Sequence, residues 1–219
     1  GAQAASHAAQ LVLLDSDFSV MPTVVLEGRR VINNIQRAAS LFLMKTMYSF
    51  GLSALLLFVP LQYPFAPIHL TLIGAVASGI PGVVLALEPN FKRVSKNFMS
   101  TVLKRAAAGA ATIFCGVVFA MAMGKYIGLS ENEISTVCVI FTGISSLVTL
   151  LCSCLPLTVL KGCLVAFCTA AFACGVLIFD KLFMLVPLGG AALIMLCAMI
   201  PFTSIQYFIR SDSLRKNKD

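Results

Sequence analysis

Six apolar segments, separated by short polar connections, run through the chain at 38–59, 68–87, 106–124, 135–157, 162–179 and 182–209. Each is near or above the roughly 20 residues that about 1.5 Å of rise per residue requires to cross about 30 Å of hydrocarbon. The pattern predicts an all-α membrane protein, a six-transmembrane-helix bundle. Ahead of it, residues 1–37 are mixed in character. The run LVLLD from Leu11 to Asp15 reads as a buried parallel strand, and Ser16-Asp17-Phe18 as a turn. Pro22 suits the start of a helix. From there VVLEGRRVINNIQRAASLFLMKTMYSF reads as one long stalk helix passing from a polar surface into the first span, with Gly28 a candidate bend. A strand and a stalk cannot bury a core of their own, so this end reads as the remnant of a larger domain.

The second span carries Gly74, Ser78, Gly79, Pro81 and Gly82 in its middle. Proline has no amide hydrogen and disfavours the helical conformation at Ile80 before it. A break in the helix is therefore expected there, freeing carbonyls that protein, water or an ion must satisfy because lipid cannot. Broken spans of this kind often line the path of a transported species. The third span is rich in Ala and Gly from Ala106 to Ala122, so it should pack centrally or in pairs.

Composition sharpens the class. With 59% hydrophobic residues, 11% charged residues and a mean hydropathy of +0.95, a soluble domain is excluded by the long uncharged runs. The net charge of +7 does not point to nucleic acid, because the basic residues fall in clusters between spans. Arg29, Arg30, Arg37, Lys92, Arg93, Lys96, Lys104, Arg105, Lys161, Arg210, Arg215, Lys216 and Lys218 fall on one side under a six-span alternation, which predicts both termini in the cytoplasm. The amino end lacks the basic start and apolar run of a cleavable signal. The eight cysteines lie in or beside apolar runs and read as small buried hydrophobes, with Cys152 and Cys154 a poor metal pair for want of a companion ligand.

One charge stands inside a span: Lys45. An ionisable residue there is a functional candidate, although its stem is long enough to snorkel to the interface. Thr46, Ser49 and Ser53 are expected to continue it as a polar stripe. Apart from Glu88 at the end of the second span, no acid lies in an apolar segment, so these spans lack the carboxylate oxygens of a high-affinity divalent site. Ser145 and Ser146 are weaker candidates that also suit helix packing. His7 and His69 show no evident partners, and no nucleophilic triad, phosphate loop or HExxH is present.

The stretch GAQAASHAAQLVLLDSDFSVMPTVVLEGRRVINNIQRAASLFLMKT resembles the region of P-type ATPases that joins the phosphorylation domain to the fifth membrane helix. The resemblance rests on the small residues before LVLLD, on the D-x-x-F of Asp15 to Phe18, and on EGRR followed by INNIQR. It continues into the second span, where SGIP at Ser78 to Pro81 stands where ion pumps of the family often have an acid and Gly-Leu-Pro. The resemblance implies a carboxy-terminal fragment of a cation-transporting pump: residues 1–27 the end of the phosphorylation domain, 28–209 the stalk and membrane helices five to ten, and 210–219 a cytoplasmic tail. It further implies ATP and Mg²⁺ for the parent pump, with no cofactor or catalytic residue in this stretch, and a plasma-membrane location. The partners it implies are the bilayer, a transported cation and the missing amino-terminal part of the same pump.

Lys45 falls where relatives place a polar residue or a built-in lysine. Thr46 and Ser49 fall where calcium pumps place Asn and Glu, and Gly74 and Ser78 where they place Asn and Asp. Lys45, Thr46, Ser49, Gly74, Ser78, Gly79 and Pro81 are thus the transport-path candidates. The alternatives are a lipid- or polyamine-type P-type transporter, and a stand-alone six-span channel or carrier.

Overall fold

The computed structural model describes residues 3–13, 17–94 and 97–207. These form α1 (Gln3–Ala8), α2 (Met21–Leu56), α3 (Pro67–Gly74), α4 (Ile80–Ala86), α5 (Phe98–Ile127), α6 (Glu131–Ser153), α7 (Val159–Leu177) and α8 (Gly190–Ala198). A π-helical turn, Ala75–Gly79, joins α3 to α4. After a turn at Met199 the chain is helical again to Tyr207. Six of the resulting units are long and apolar enough to cross a membrane, so the all-α six-span bundle is observed.

The strand expected at 11–15 is not. Residues 11–13 have no regular structure, 14–16 lie outside the described residues, and no strand occurs among the described residues. A parallel strand draws its hydrogen bonds from neighbouring strands, and the described residues supply none. Asp17 instead caps a short 3₁₀ turn, Phe18–Val20, by accepting from the Ser19 amide. Pro22 stands in the first turn of α2, as expected, and the 36-residue helix runs through Gly28 without interruption. The carboxy-terminal tail, 210–219, lies outside the described residues.

The second span departs from expectation more usefully. Ile80, before the proline, is fully helical at φ −57° and ψ −50°, and its amide bonds five residues back to the Ala75 carbonyl. The chain therefore inserts one wide turn ahead of Pro81 instead of breaking. That shift in register lets the helix carry a residue with no amide hydrogen and a ring that crowds the preceding turn. The sixth span begins at Gly190 and not at 182: Pro187 supplies no amide, and Gly189 is extended as the residue before the first turn.

Small residues let α2 and α6 pack closely on α5, while the span most enclosed by its neighbours is α6. Gly109 accommodates Met44 of α2 and Thr149 of α6, Gly116 accommodates the Phe141 ring, and Gly124 accommodates Ile134. The core these contacts build contains Leu41, Tyr48 and Leu52 of α2, Ile113 and Val117 of α5, and Val137 and Cys138 of α6. None of the eight cysteines forms a disulfide among the described residues, and of the eight Cys138, Cys152, Cys154 and Cys168 are buried. Cys115, Cys163, Cys174 and Cys197 face outward, where in a bilayer an apolar side chain meets lipid at no cost. The helices alternate in direction, so Arg37, Glu88 and Lys161 meet at one end of the bundle, called here the basic end.

Candidate functional site: the α2–α4 seam

Lys45 projects from the middle of α2 towards α3. Its ammonium donates to the Leu70 carbonyl at 3.1 Å, away from the basic end, so in this structure it is turned inward and does not snorkel there. Room for it exists because residue 74 is glycine: a Cβ built on Gly74 would lie 2.8 Å from the Lys45 Nζ. Among the described residues no carboxylate pairs with this ammonium. A half-buried charge held by a carbonyl is stabilised less than one held by an acid, which leaves it free to respond to a second charge brought close by.

The remaining candidates divide. Ser78 is buried in the π-turn beside Lys45's partner helix, with Gly79 closing that turn and Pro81 buried just after it. Ser49 is half-buried and shares a hydrogen bond of 2.9 Å with the Tyr63 hydroxyl. Thr46 does not join them: it is exposed and its hydroxyl bonds back to the Phe42 carbonyl. Ser53 is exposed too. Neighbours on a helix point about 100° apart, so Lys45 and Thr46 cannot share a face.

Ser145 and Ser146 lie apart from this seam, fully buried on α6. With Thr142 and Thr149 they form a hydroxyl stripe that the sequence reading extended no further than the two serines. Gln206 closes it: its amide nitrogen donates to the Ser145 carbonyl at 3.2 Å and to the Thr149 hydroxyl.

At the basic end the chain makes a network that the sequence reading missed. Asn33 donates to the carbonyls of Asn90 and Lys92, and Asn34 to those of Ala86 and Glu88. The Glu88 carboxylate takes Arg37 at 2.6 Å on one oxygen and Lys161 at 2.8 Å on the other. The only sequence signal was a lone acid at a span end facing a side crowded with cations. Asn34 is almost fully buried, so Asn34→Ala strands two carbonyls in place of two bonds. The expected loss is about 1–3 kcal/mol, read as a lower thermal midpoint of the detergent-solubilised protein.

At the opposite end a cavity of about 280 Å³ lies between the 57–66 connection, α5 and α6, lined by Tyr63, His69, Lys125 and Glu131 among others. His69 is not incidental: it is buried, and its Nδ1 accepts from the Ala66 amide, one of the unpaired donors at the start of α3.

Among the described residues no three His, Cys, Asp or Glu side chains come together as a metal site. Any cation at the α2–α4 seam would be met by hydroxyl and carbonyl oxygens. A long helix seated on a π-turned, proline-bearing partner within a six-helix bundle defines an integral, multi-pass membrane domain. Comparison with known proteins says of what kind. No family model matches the chain. It is 36% identical over 180 residues to the probable cation-transporting ATPase exp7 of Streptococcus pneumoniae, a match covering 78% of this chain and 23% of that protein. It is 44% identical over 116 residues to the calcium-transporting ATPase CtpE of Mycolicibacterium smegmatis, covering 48% of this chain and 15% of that protein. Against CtpE of Mycobacterium bovis the figures are 38% over 157 residues, 65% and 19%. The chain belongs to the cation-transporting P-type ATPases, and it spans about a fifth of the length of the curated relatives it matches.

Proposed function

We propose that this chain is the membrane-transport part of an ATP-driven P-type cation pump, with α2 and the α3–π–α4 span lining the path. The observation that carries the reading is the Lys45 ammonium seated on the Leu70 carbonyl over Gly74, one turn from the π-turn that holds Ser78. A mobile cationic side chain in the path can serve as an internal counter-charge: it occupies the oxygens when the cargo has left and withdraws when a cation returns. Ser49, Ser78 and carbonyls around the π-turn are the oxygens on offer. The aspartate that takes the phosphoryl group, and the groups that bind ATP and Mg²⁺, belong to the parent pump outside these residues. Residues 1–27 are the end of its phosphorylation domain, 28–209 the stalk and membrane helices, and 210–219 the tail. The clustering of basic residues supports termini in the cytoplasm, and the reading includes a location in the cell membrane.

Two of the relatives above are described as calcium-transporting, which makes calcium the first cargo to test. A second reading is a polyamine- or lipid-type transporter; its lipid form is favoured by the lack, among the described residues, of an acid paired with Lys45, because an ammonium so placed can meet a lipid phosphate. ATP hydrolysis by the full-length protein, measured against a panel of metal cations, polyamines and phospholipids, separates them. Stimulation by a metal cation is expected. Stimulation by a polyamine or a phospholipid alone would move the assignment to the second reading.

A further inference from the structure

The network at the basic end makes one unit of α2 and the connection after α4, a unit that also packs along α5, where Gln36 donates to the Phe98 carbonyl at 3.4 Å. The connection after α4 is fastened to α2 by four amide-to-carbonyl bonds from Asn33 and Asn34 and by the Arg37–Glu88 ion pair. Stalk and path helix therefore share this end as one unit. On the other side, a charged contact from Glu88 reaches Lys161 in the first turn of α7. The Lys161 side chain is only 4% exposed, and its other acceptor among the described residues is the Pro156 carbonyl at 3.2 Å, in the turn just before α7.

We propose that Glu88 and Lys161 are positioning residues: their ion pair is the charged tie that seats the basic end of the path-lining unit, α2 and α4, on α7 while the stalk moves. The charge arithmetic favours the closed contact. When Lys161 lets go, Glu88 keeps Arg37 and is not left as an unpaired buried carboxylate, but a nearly buried ammonium is left with the neutral Pro156 carbonyl. Removal of Glu88 puts Lys161 in that same costly state and takes the partner of Arg37 as well. The role as a fulcrum rests on the pump reading above; the energetics of the tie do not.

Four variants of the full-length protein test both halves. Thermal midpoints in detergent report the tie whether or not the protein pumps. Glu88→Gln should lower the midpoint more than Lys161→Met does. The double variant should be more stable than Glu88→Gln alone, since it removes the stranded ammonium. A double variant as unstable as Glu88→Gln, or worse, overturns the tie. In proteoliposomes Lys161→Met should keep hydrolysing ATP while the cations moved per ATP fall about fivefold. Lys161→Arg should restore the ratio, because it restores the ion pair. An unchanged ratio in Lys161→Met overturns the positioning role. If the wild-type protein moves no cation at all, the pump reading fails and the midpoints still decide the tie.

Discussion

Gly74→Val in the full-length protein is expected to abolish most cation-stimulated ATP hydrolysis while leaving the fold in place. The new Cβ would sit 2.8 Å from the Lys45 Nζ, closer than any real contact of that kind. What must give way is the far end of a flexible side chain, so the helices need not part. The ammonium, however, must leave the Leu70 carbonyl, its one hydrogen-bond partner among the described residues. A hydrogen bond to a charged group is worth about 1.5–3 kcal/mol, so the expected fall in turnover is about tenfold or more. The check is internal: Gly74→Val combined with Lys45→Met should be no worse than Lys45→Met alone, because the valine then has no ammonium to displace. A double variant much worse than either single one would mean that residue 74 acts through packing instead.

The largest loss of stability is expected from Gly143→Val. Gly143 of α6 lies directly under the Phe172 ring of α7, and the ring occupies the space that a Cβ would need. Both residues are buried, and the obstacle is an aromatic ring held in the core with no flexible tip to swing aside. Overpacking of this kind costs about 1–3 kcal/mol, and here α7 must shift to relieve it. A thermal midpoint lowered by several degrees in Gly143→Val, with little change in Gly162→Val, is the predicted contrast. Gly162 is on α7 with open space about its Cβ position. Equal effects at the two sites would show that helix propensity, not ring packing, sets the cost.

Where the physics is local or periodic, the sequence was readable. Length and hydropathy placed the second, fourth and fifth spans to within a few residues at both ends, and the run of small residues marked α5 for close packing. Most of the misses involve partners brought together by the fold. The 11–15 run has the composition of a strand, but among the described residues there is no neighbouring strand for its 11–13 part to bond with. Pro81 was expected to break a helix, and only the three-dimensional ladder shows that a wide turn from Ala75 to Gly79 absorbs it. Thr46 was assigned to Lys45's face although adjacent helical positions diverge, an error of geometry that the spacing itself could have prevented. Glu88 is 51 residues from Arg37 and 73 from Lys161, and no local pattern links them. The charge alternation had placed all three at one end, which was the half of that answer available in advance. Gln206 and Thr149 likewise meet across 57 residues, and a lone glutamine near a span end gave no warning of it.

The account depends on Lys45 serving the path and not merely filling a gap between helices. ATP-driven cation uptake into vesicles carrying the full-length protein, compared between wild type and Lys45→Met, tests that most directly. Uptake about tenfold lower in the variant, at an unchanged thermal midpoint, is the predicted result. Uptake at the wild-type rate, with the same dependence on cation concentration, would contradict it.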